Sequence, residues 1–291
     1  MPVLSIQSHV CAGHVGNAAA VPALQALGRE PIALNTVAFA HHPGRGRPAG
    51  RVTPAEELAT LLAALRPLDE FRRCKALLSG YLGRPDTAEV VAEAIDSLRA
   101  ITPRALVVCD PVLGDTDKGL YVDPALPGRV GALLVPRADI LMPNAFELAI
   151  LSGRAPPLAD LGAILEAARA LVGQGPRAVI VTSLPFEDGG IGDLLVTATA
   201  SWLARGPLIA GVAGIKGTGD LLSALLVGHL LRDAGDPWHP QALPRALALA
   251  VAGVRLVLGA TAGSGRGEMA LVRCLPALAS PLDPVPIAPL A

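Results

Sequence analysis

Val107-Val108-Cys109-Asp110-Pro111-Val112 reads as a short apolar strand that delivers a carboxylate at its C-terminal end and is stopped there by proline. A strand without polar alternation is buried on both faces, which places it inside a parallel sheet covered by helices. Working outward, further apolar runs predict strands near 3–7, 31–38, 76–79, 105–109, 138–141 and 178–182. Between and beyond them, helical spacing predicts helices over 15–27, 54–65, 86–100, 144–151, 158–173, 218–233 and 241–258. This alternation is the sequence form of an α/β fold with a mostly parallel central sheet and helices on both faces. The closely spaced runs 192–197 and 201–204 predict an antiparallel hairpin at one edge. No linker divides the chain, so residues 1–291 are expected to form one domain, with the Pro-rich tail from Pro281 to Ala291 extended along its surface.

Composition narrows the function. Hydrophobic residues make up 52% and aromatics 3%, so aliphatic side chains fill the core and no base-stacking platform is available. With 24 basic and 25 acidic residues the chain lacks the footprint of a nucleic-acid binder. Cys11, Cys74, Cys109 and Cys274 are scattered and form neither a disulfide framework nor a zinc ribbon. The histidines His9, His14, His41 and His42 lack metal-pair spacing, and His229 and His239 read as structural or solvent-facing. No signal peptide precedes Val3-Leu4-Ser5-Ile6, and Ala246 to Ala262, interrupted by Arg255, reads as a buried helix rather than a membrane span. The cytoplasm is the expected compartment.

Three segments could carry chemistry. Ile215-Lys216-Gly217-Thr218-Gly219-Asp220 precedes an apolar helix, where glycines allow a tight turn and freed amides can converge on an anion. Gly217, Thr218 and Gly219 could stabilise a transferring phosphoryl group, with Asp220 accepting the proton of an attacking alcohol. The bland reading is an ordinary helix start, with Thr218 capping and Asp220 complementing the dipole. Asp110, with Asp115 in the following loop, could hold Mg²⁺ near phosphate oxygens, or Asp110 could simply cap a turn before Pro111. In Pro143-Asn144-Ala145-Phe146-Glu147, Asn144 and Glu147 form a capping-box pattern, while Glu147 could also orient metal-bound water. Each segment follows a predicted strand, so all three should gather along one sheet edge. No Walker A loop occurs, and Gly263-Ser264-Gly265-Arg266-Gly267 lacks dinucleotide spacing and is expected to be a flexible turn before a short strand.

Further motifs appear in a fixed order: Ser5-Ile6-Gln7-Ser8-His9-Val10, then Gly13 and Val15-Gly16-Asn17, Leu34-Asn35-Thr36-Val37 with Phe39, and Leu78-Ser79-Gly80-Tyr81-Leu82-Gly83. Together with the Asp110, Asn144 and Asp220 segments they resemble the pyridoxal kinase family of the ribokinase-like superfamily over nearly the whole chain. The resemblance implies a ribokinase-like three-layer sandwich with an antiparallel edge. It also implies ATP-dependent phosphorylation of the 5′-hydroxymethyl group of pyridoxal, with pyridoxine and pyridoxamine as further candidates. Ser8, Phe39, His42, Pro43 and Tyr81 would meet the vitamin B6 vitamer, and Asp220 would deprotonate it. Asp110, Asn144, Glu147, Thr182, Ser183, Pro207 and Leu208 would face ATP, with Asp110, Asp115 and Glu147 around Mg²⁺ and a loop at Asp117-Lys118-Gly119 closing over the phosphates. A monovalent cation and a homodimer are also implied.

The chain departs from the family pattern at Pro43, where a threonine commonly meets the vitamer, and at Met142, where some members place a cation-associated threonine. Hydroxymethylpyrimidine kinase shares the fold and the glycine-aspartate centre and is the nearest alternative. A catalytically silent pyridoxal-binding protein is another; the intact Asp220 and the metal-side carboxylates argue against it.

Overall fold

The computed structural model describes residues 1–232, 238–239, 241–265 and 267–290; the expected helix end at 233, Arg266 and Ala291 lie outside the described residues. In chain order the strands are β1 (Pro2–Ala12), β2 (Glu30–His41), β3 (Gly50–Val52), β4 (Ala76–Ser79), β5 (Leu106–Cys109), β6 (Gly114–Asp115), β7 (Gly119–Leu120), β8 (Ile140–Leu141), β9 (Ala178–Pro185), β10 (Gly190–Thr197), β11 (Ser201–Pro207) and β12 (Ile287–Leu290). The α-helices are α1 (Asn17–Ala26), α2 (Ala55–Leu65), α3 (Asp69–Arg72), α4 (Thr87–Ile101), α5 (Leu126–Arg129), α6 (Ala145–Leu151), α7 (Leu161–Val172), α8 (Thr218–Leu230), α9 (Ala242–Ala262) and α10 (Leu271–Leu278).

Ten strands form one sheet in the order β12-β11-β10-β9-β8-β5-β4-β1-β2-β3. Pairing is parallel from β2 across to β9 and antiparallel outside those strands. Alternate residues of the central strands enter two separate cores. Leu4, Leu77, Val107 and Leu141 pack beneath α2, α4 and α7. Val3, Leu78, Val108 and Ile140 pack beneath α1, α8, α9 and α10. Both faces of each central strand are therefore apolar, as the unbroken Val107-Val108-Cys109 run requires. This is the expected three-layer sandwich.

The edges hold more structure than expected. The hairpin β10–β11 is present, but the tail does not simply lie on the surface: Ile287–Leu290 pairs antiparallel with β11 as the outermost strand. Pro289 is tolerated there because an edge strand needs only one side of its ladder. At the opposite margin β3 pairs antiparallel with β2. The glycine run at 263–267 precedes helix α10, not a short strand; Leu271, Cys274 and Leu278 recur at helical spacing and are buried. Helix α9 is long and apolar enough to cross a membrane, with a mean hydropathy of 1.6, and half of that window is buried against the second core.

Candidate active site

Parallel strands bring their C-terminal ends to one side, and the Asp110 and Asn144 segments follow such ends. The Gly217–Asp220 segment instead follows antiparallel β11, which ends at Pro207, and reaches the same side through the loop 208–216. β1 leads through Ser8, β4 to Tyr81, β5 to Asp110, β8 to Asn144 and β9 to Thr182. Their loops enclose three connected spaces.

A chamber of about 430 Å³ is lined by Ser8, Phe39, His42, Pro43, Tyr81 and Asp220, together with Lys118 and Lys216. On the other side, an apolar chamber of about 300 Å³ is lined by Thr182, Ser183, Leu208, Val251 and Leu258. Between them lies a polar space of about 220 Å³ bounded by Asp110, Asp115, Asn144, Glu147 and the Gly217–Asp220 turn. Thr182, Ser183, Thr218 and Gly219 border both the apolar chamber and the middle space. Gly217 and Asp220 border the middle space and the larger chamber. Pro207 is the one anticipated contact residue outside these linings. Its carbonyl instead accepts a hydrogen bond from Arg255 Nη1 at 2.8 Å.

The start of α8 is bare. Gly217 is its N-cap, at φ 89° and ψ 2°, and no side chain caps the first amides, so Thr218 does not play the capping part of the bland reading. Those amides open on the middle space and carry the positive end of the helix dipole. By contrast, Asn144 does cap α6: its Oδ1 accepts from Glu147 N at 3.0 Å, and Glu147 Oε2 accepts from Asn144 N at 3.0 Å. Glu147 Oε1 accepts from Leu113 N at 2.7 Å and Gly114 N at 3.3 Å. The capping box thus doubles as a clamp on the loop after Asp110.

Carboxylates crowd this space. Burial, reinforced by the charges of Glu147 and Asp220, holds Asp110 well above the usual carboxylate range. Burial also pushes Glu147 up to about 7, against its three backbone donors. Asp220 is raised by burial, with the Gly16 backbone pulling the other way. A methyl group built on Gly219 would lie 3.5 Å from Asp110 Oδ2, so that carboxylate faces the glycine turn. Among the described residues no three His, Cys, Asp or Glu side chains close around an ion. The donor set still fits Mg²⁺, which keeps several waters and takes one or two carboxylates beside substrate phosphates. Buried Met142 lines the same space and offers a thioether where a hard cation prefers oxygen.

Two residues overlooked in the sequence support the site. Asp193 Oδ1 accepts from Ser183 N at 3.0 Å, and Ser183 sits at φ 59°. Glu268 contacts His42, Arg45 and the His14 amide. His42 lines the large chamber with both ring nitrogens engaged, Nδ1 by Gly44 N at 3.1 Å and Nε2 by Glu268 at 2.9 Å. Its contact with a ligand would therefore be through the ring face.

The model of the phosphomethylpyrimidine kinase family matches residues 50–262. A pyridoxal kinase PdxY of Rubrobacter xylanophilus is 40% identical over 283 residues, covering 96% of this chain and 94% of the relative. Another from Granulibacter bethesdensis is 41% identical over 277 residues, covering 94% of each. The solved structure of Leishmania donovani pyridoxal kinase with ADP and pyridoxamine superposes with a TM-score of 0.89 at 29% identity, covering 100% of this chain and 99% of that one.

Proposed function

From the premise that this chain belongs to the pyridoxal kinase family, we propose that it transfers the γ-phosphoryl group of ATP to the 5′-hydroxymethyl group of pyridoxal, giving pyridoxal 5′-phosphate. The observation that carries the reading is the uncapped start of α8, opening on a polar space between two ligand-sized chambers. Two substrates housed in separate chambers can meet only there.

ATP occupies the apolar chamber, its base against Leu208 and its phosphates reaching the middle space past Thr182 and Ser183. The vitamer lies in the larger chamber, where Ser8 and Tyr81 offer hydroxyls and Phe39 and Pro43 offer apolar faces. Asp220 borders both spaces and accepts the proton of the attacking alcohol; a carboxylate raised by burial is a stronger base than a free one. The amides of Thr218 and Gly219 stabilise the charge that grows on the moving phosphoryl group. Asp110 and Asp115 would hold Mg²⁺, which supplies charge neutralisation for the phosphates. Glu147, its oxygens engaged by backbone amides, holds the Asp110 loop and would orient water around Mg²⁺ when the ion is bound. Asp117 and Lys118, in the turn of the β6–β7 ribbon, and Gly119, which opens β7, form the flap over the phosphates.

The whole chain acts as one kinase unit in this reading, supported by a sheet that includes both Pro2 and Leu290. A cytoplasmic location, supported by four free cysteines, and a homodimer belong to the same proposal.

The test is turnover by the purified protein with Mg·ATP and, separately, pyridoxal, pyridoxine, pyridoxamine and hydroxymethylpyrimidine. Turnover of pyridoxal and not of hydroxymethylpyrimidine is expected; the opposite preference would assign the chain to pyrimidine phosphorylation. Asp220→Ala should lower kcat by about 10²- to 10⁴-fold while pyridoxal still binds. Undiminished turnover would remove Asp220 from the role of base.

A further inference from the structure

Glu268 lies between α9 and α10, far along the chain from the vitamer-side segments it touches. Its Oε1 meets His42 Nε2 at 2.9 Å and Arg45 Nη2 at 2.7 Å. Its Oε2 accepts from the backbone N–H of His14 at 3.3 Å. The approach to the neighbouring turn is close: a methyl group on Gly13, at φ 112°, would lie 2.8 Å from Oε2. The next residue, Met269, packs at the α8 turn, its Cε 2.9 Å from where a Gly217 side chain would begin. One short segment therefore abuts three loops around the large chamber without Glu268 lining it.

The hydrogen bonds also settle a tautomer. His42 Nδ1 accepts from the Gly44 N–H at 3.1 Å, so the ring proton is on Nε2 and is donated to Glu268. His42 is buried, and its ring stays in the chamber wall only while that donor has an acceptor. Arg45 is 42% exposed, so its ion pair is screened by solvent and contributes less. The backbone bond to His14 couples the same carboxylate to the Gly13–Gly16 turn, which in turn faces Asp220 through Gly16.

We propose that Glu268 is a positioning residue for the vitamer: it ties the His42–Arg45 loop to the Gly13–Gly16 turn and so sets the shape and affinity of the vitamer chamber without acting on the nucleotide side. The proposal rests on the kinase reading above. Pro43 gives it added weight. That residue carries neither a hydroxyl nor a backbone N–H, and His42 has no free ring nitrogen, so this loop contributes shape rather than hydrogen bonds to its ligand. A loop that acts by shape depends on what fixes its shape.

The experiment compares wild type, Glu268→Ala, Glu268→Gln and Arg45→Ala by steady-state kinetics with each substrate varied in turn, and by equilibrium titration of pyridoxal without nucleotide. Wild-type turnover of pyridoxal is established first; its absence would defeat the kinase reading rather than the role of Glu268. For Glu268→Ala the KM and Kd for pyridoxal should rise about tenfold or more, the usual effect of losing a charge-assisted hydrogen bond to a buried partner, here His42, while KM for ATP stays within about twofold. Glu268→Gln keeps an oxygen for the His42 donor and should recover most of that loss. Arg45→Ala should change KM by less than about threefold. Pyridoxal affinity unchanged in Glu268→Ala, or KM for ATP rising in parallel with that for pyridoxal, would overturn the proposal. Should Glu268→Ala fail to fold, Glu268→Gln decides: affinity as poor as that of a His42→Ala variant would show that the acceptor oxygen does not position the loop.

Discussion

At Gly217 two constraints coincide. Its φ of 89° lies in the left-handed region, and a methyl group built there would sit 1.8 Å from the His14 carbonyl oxygen. Gly214, at φ 81°, shares the first constraint but has nothing within 4 Å. The pair separates backbone strain from close approach. Gly214→Ala should cost about 1 kcal/mol, the strain alone. Gly217→Ala must also displace the His14 loop, and should cost more than about 2 kcal/mol and most of the turnover. Melting temperatures and kcat of the two variants check this; equal costs would mean that the His14 loop yields freely. Conformation at this residue thus connects directly to charge: the turn that excludes a side chain is the turn that leaves the α8 amides bare beside Asp110 and Asp220.

Among the elements, strand β9 shows how a local irregularity serves the site. Gly192 pairs with Leu184 and Leu194 with Val181, so Asp193 alone opposes both Thr182 and Ser183. Two residues against one make a β-bulge, which bends the strand and re-aims its side chains. Here the Asp193 carboxylate replaces the missing ladder acceptor for Ser183 N–H. Thr182 and Ser183 were legible in the sequence because they end an apolar run. Asp193 was not, because nothing in Gly192-Asp193-Leu194 marks the register slip that gives it a partner. Glu268 was hidden for a related reason: its contact with His42 spans 226 residues. β12 escaped because Pro289 within it and Pro284 and Pro286 before it mask a strand that needs only one neighbour. What could be read was the set of strand ends and helix starts, where fold and chemistry share the same few adjacent residues. The bulge also carries a pH signature. Burial raises Asp193 to about 6 from its ordinary 3.8, so the stability tied to its protonated form is full below about pH 4 and is lost as pH rises through 6. The loss should be on the order of 2–3 kcal/mol. Asp193→Asn, whose amide oxygen still accepts from Ser183, should reduce that slope between pH 4 and 7 in urea-unfolding measurements, leaving the part that comes from the other raised carboxylates, Asp110, Glu147 and Asp220. An unchanged slope would place the titration elsewhere.

On the scale of the molecule, the sheet edge divides the work into an apolar nucleotide chamber, an acidic middle and a vitamer chamber, and the three differ in what they need to be filled. The middle is the least comfortable part of the protein, since burial raises both Asp110 and Glu147, with the charges of Glu147 and Asp220 adding to the first and that of Asp115 to the second. Phosphates alone would add negative charge to that space and should be poorly held, whereas Mg²⁺ and phosphates entering together would offset it. The vitamer chamber is bounded chiefly by apolar and neutral groups and shares only Asp220 and Asp115 among its carboxylates. Metal removal should therefore separate the two ligands. With saturating Mg²⁺, ATP or pyridoxal at about 100 times Kd should each stabilise the protein by about 2.7 kcal/mol, read as a rise in melting temperature. In excess EDTA the rise caused by ATP should largely vanish and turnover should stop, while the rise caused by pyridoxal should persist. If EDTA abolished both, the vitamer would depend on the metal, and the division of the cleft into independent chambers would fail.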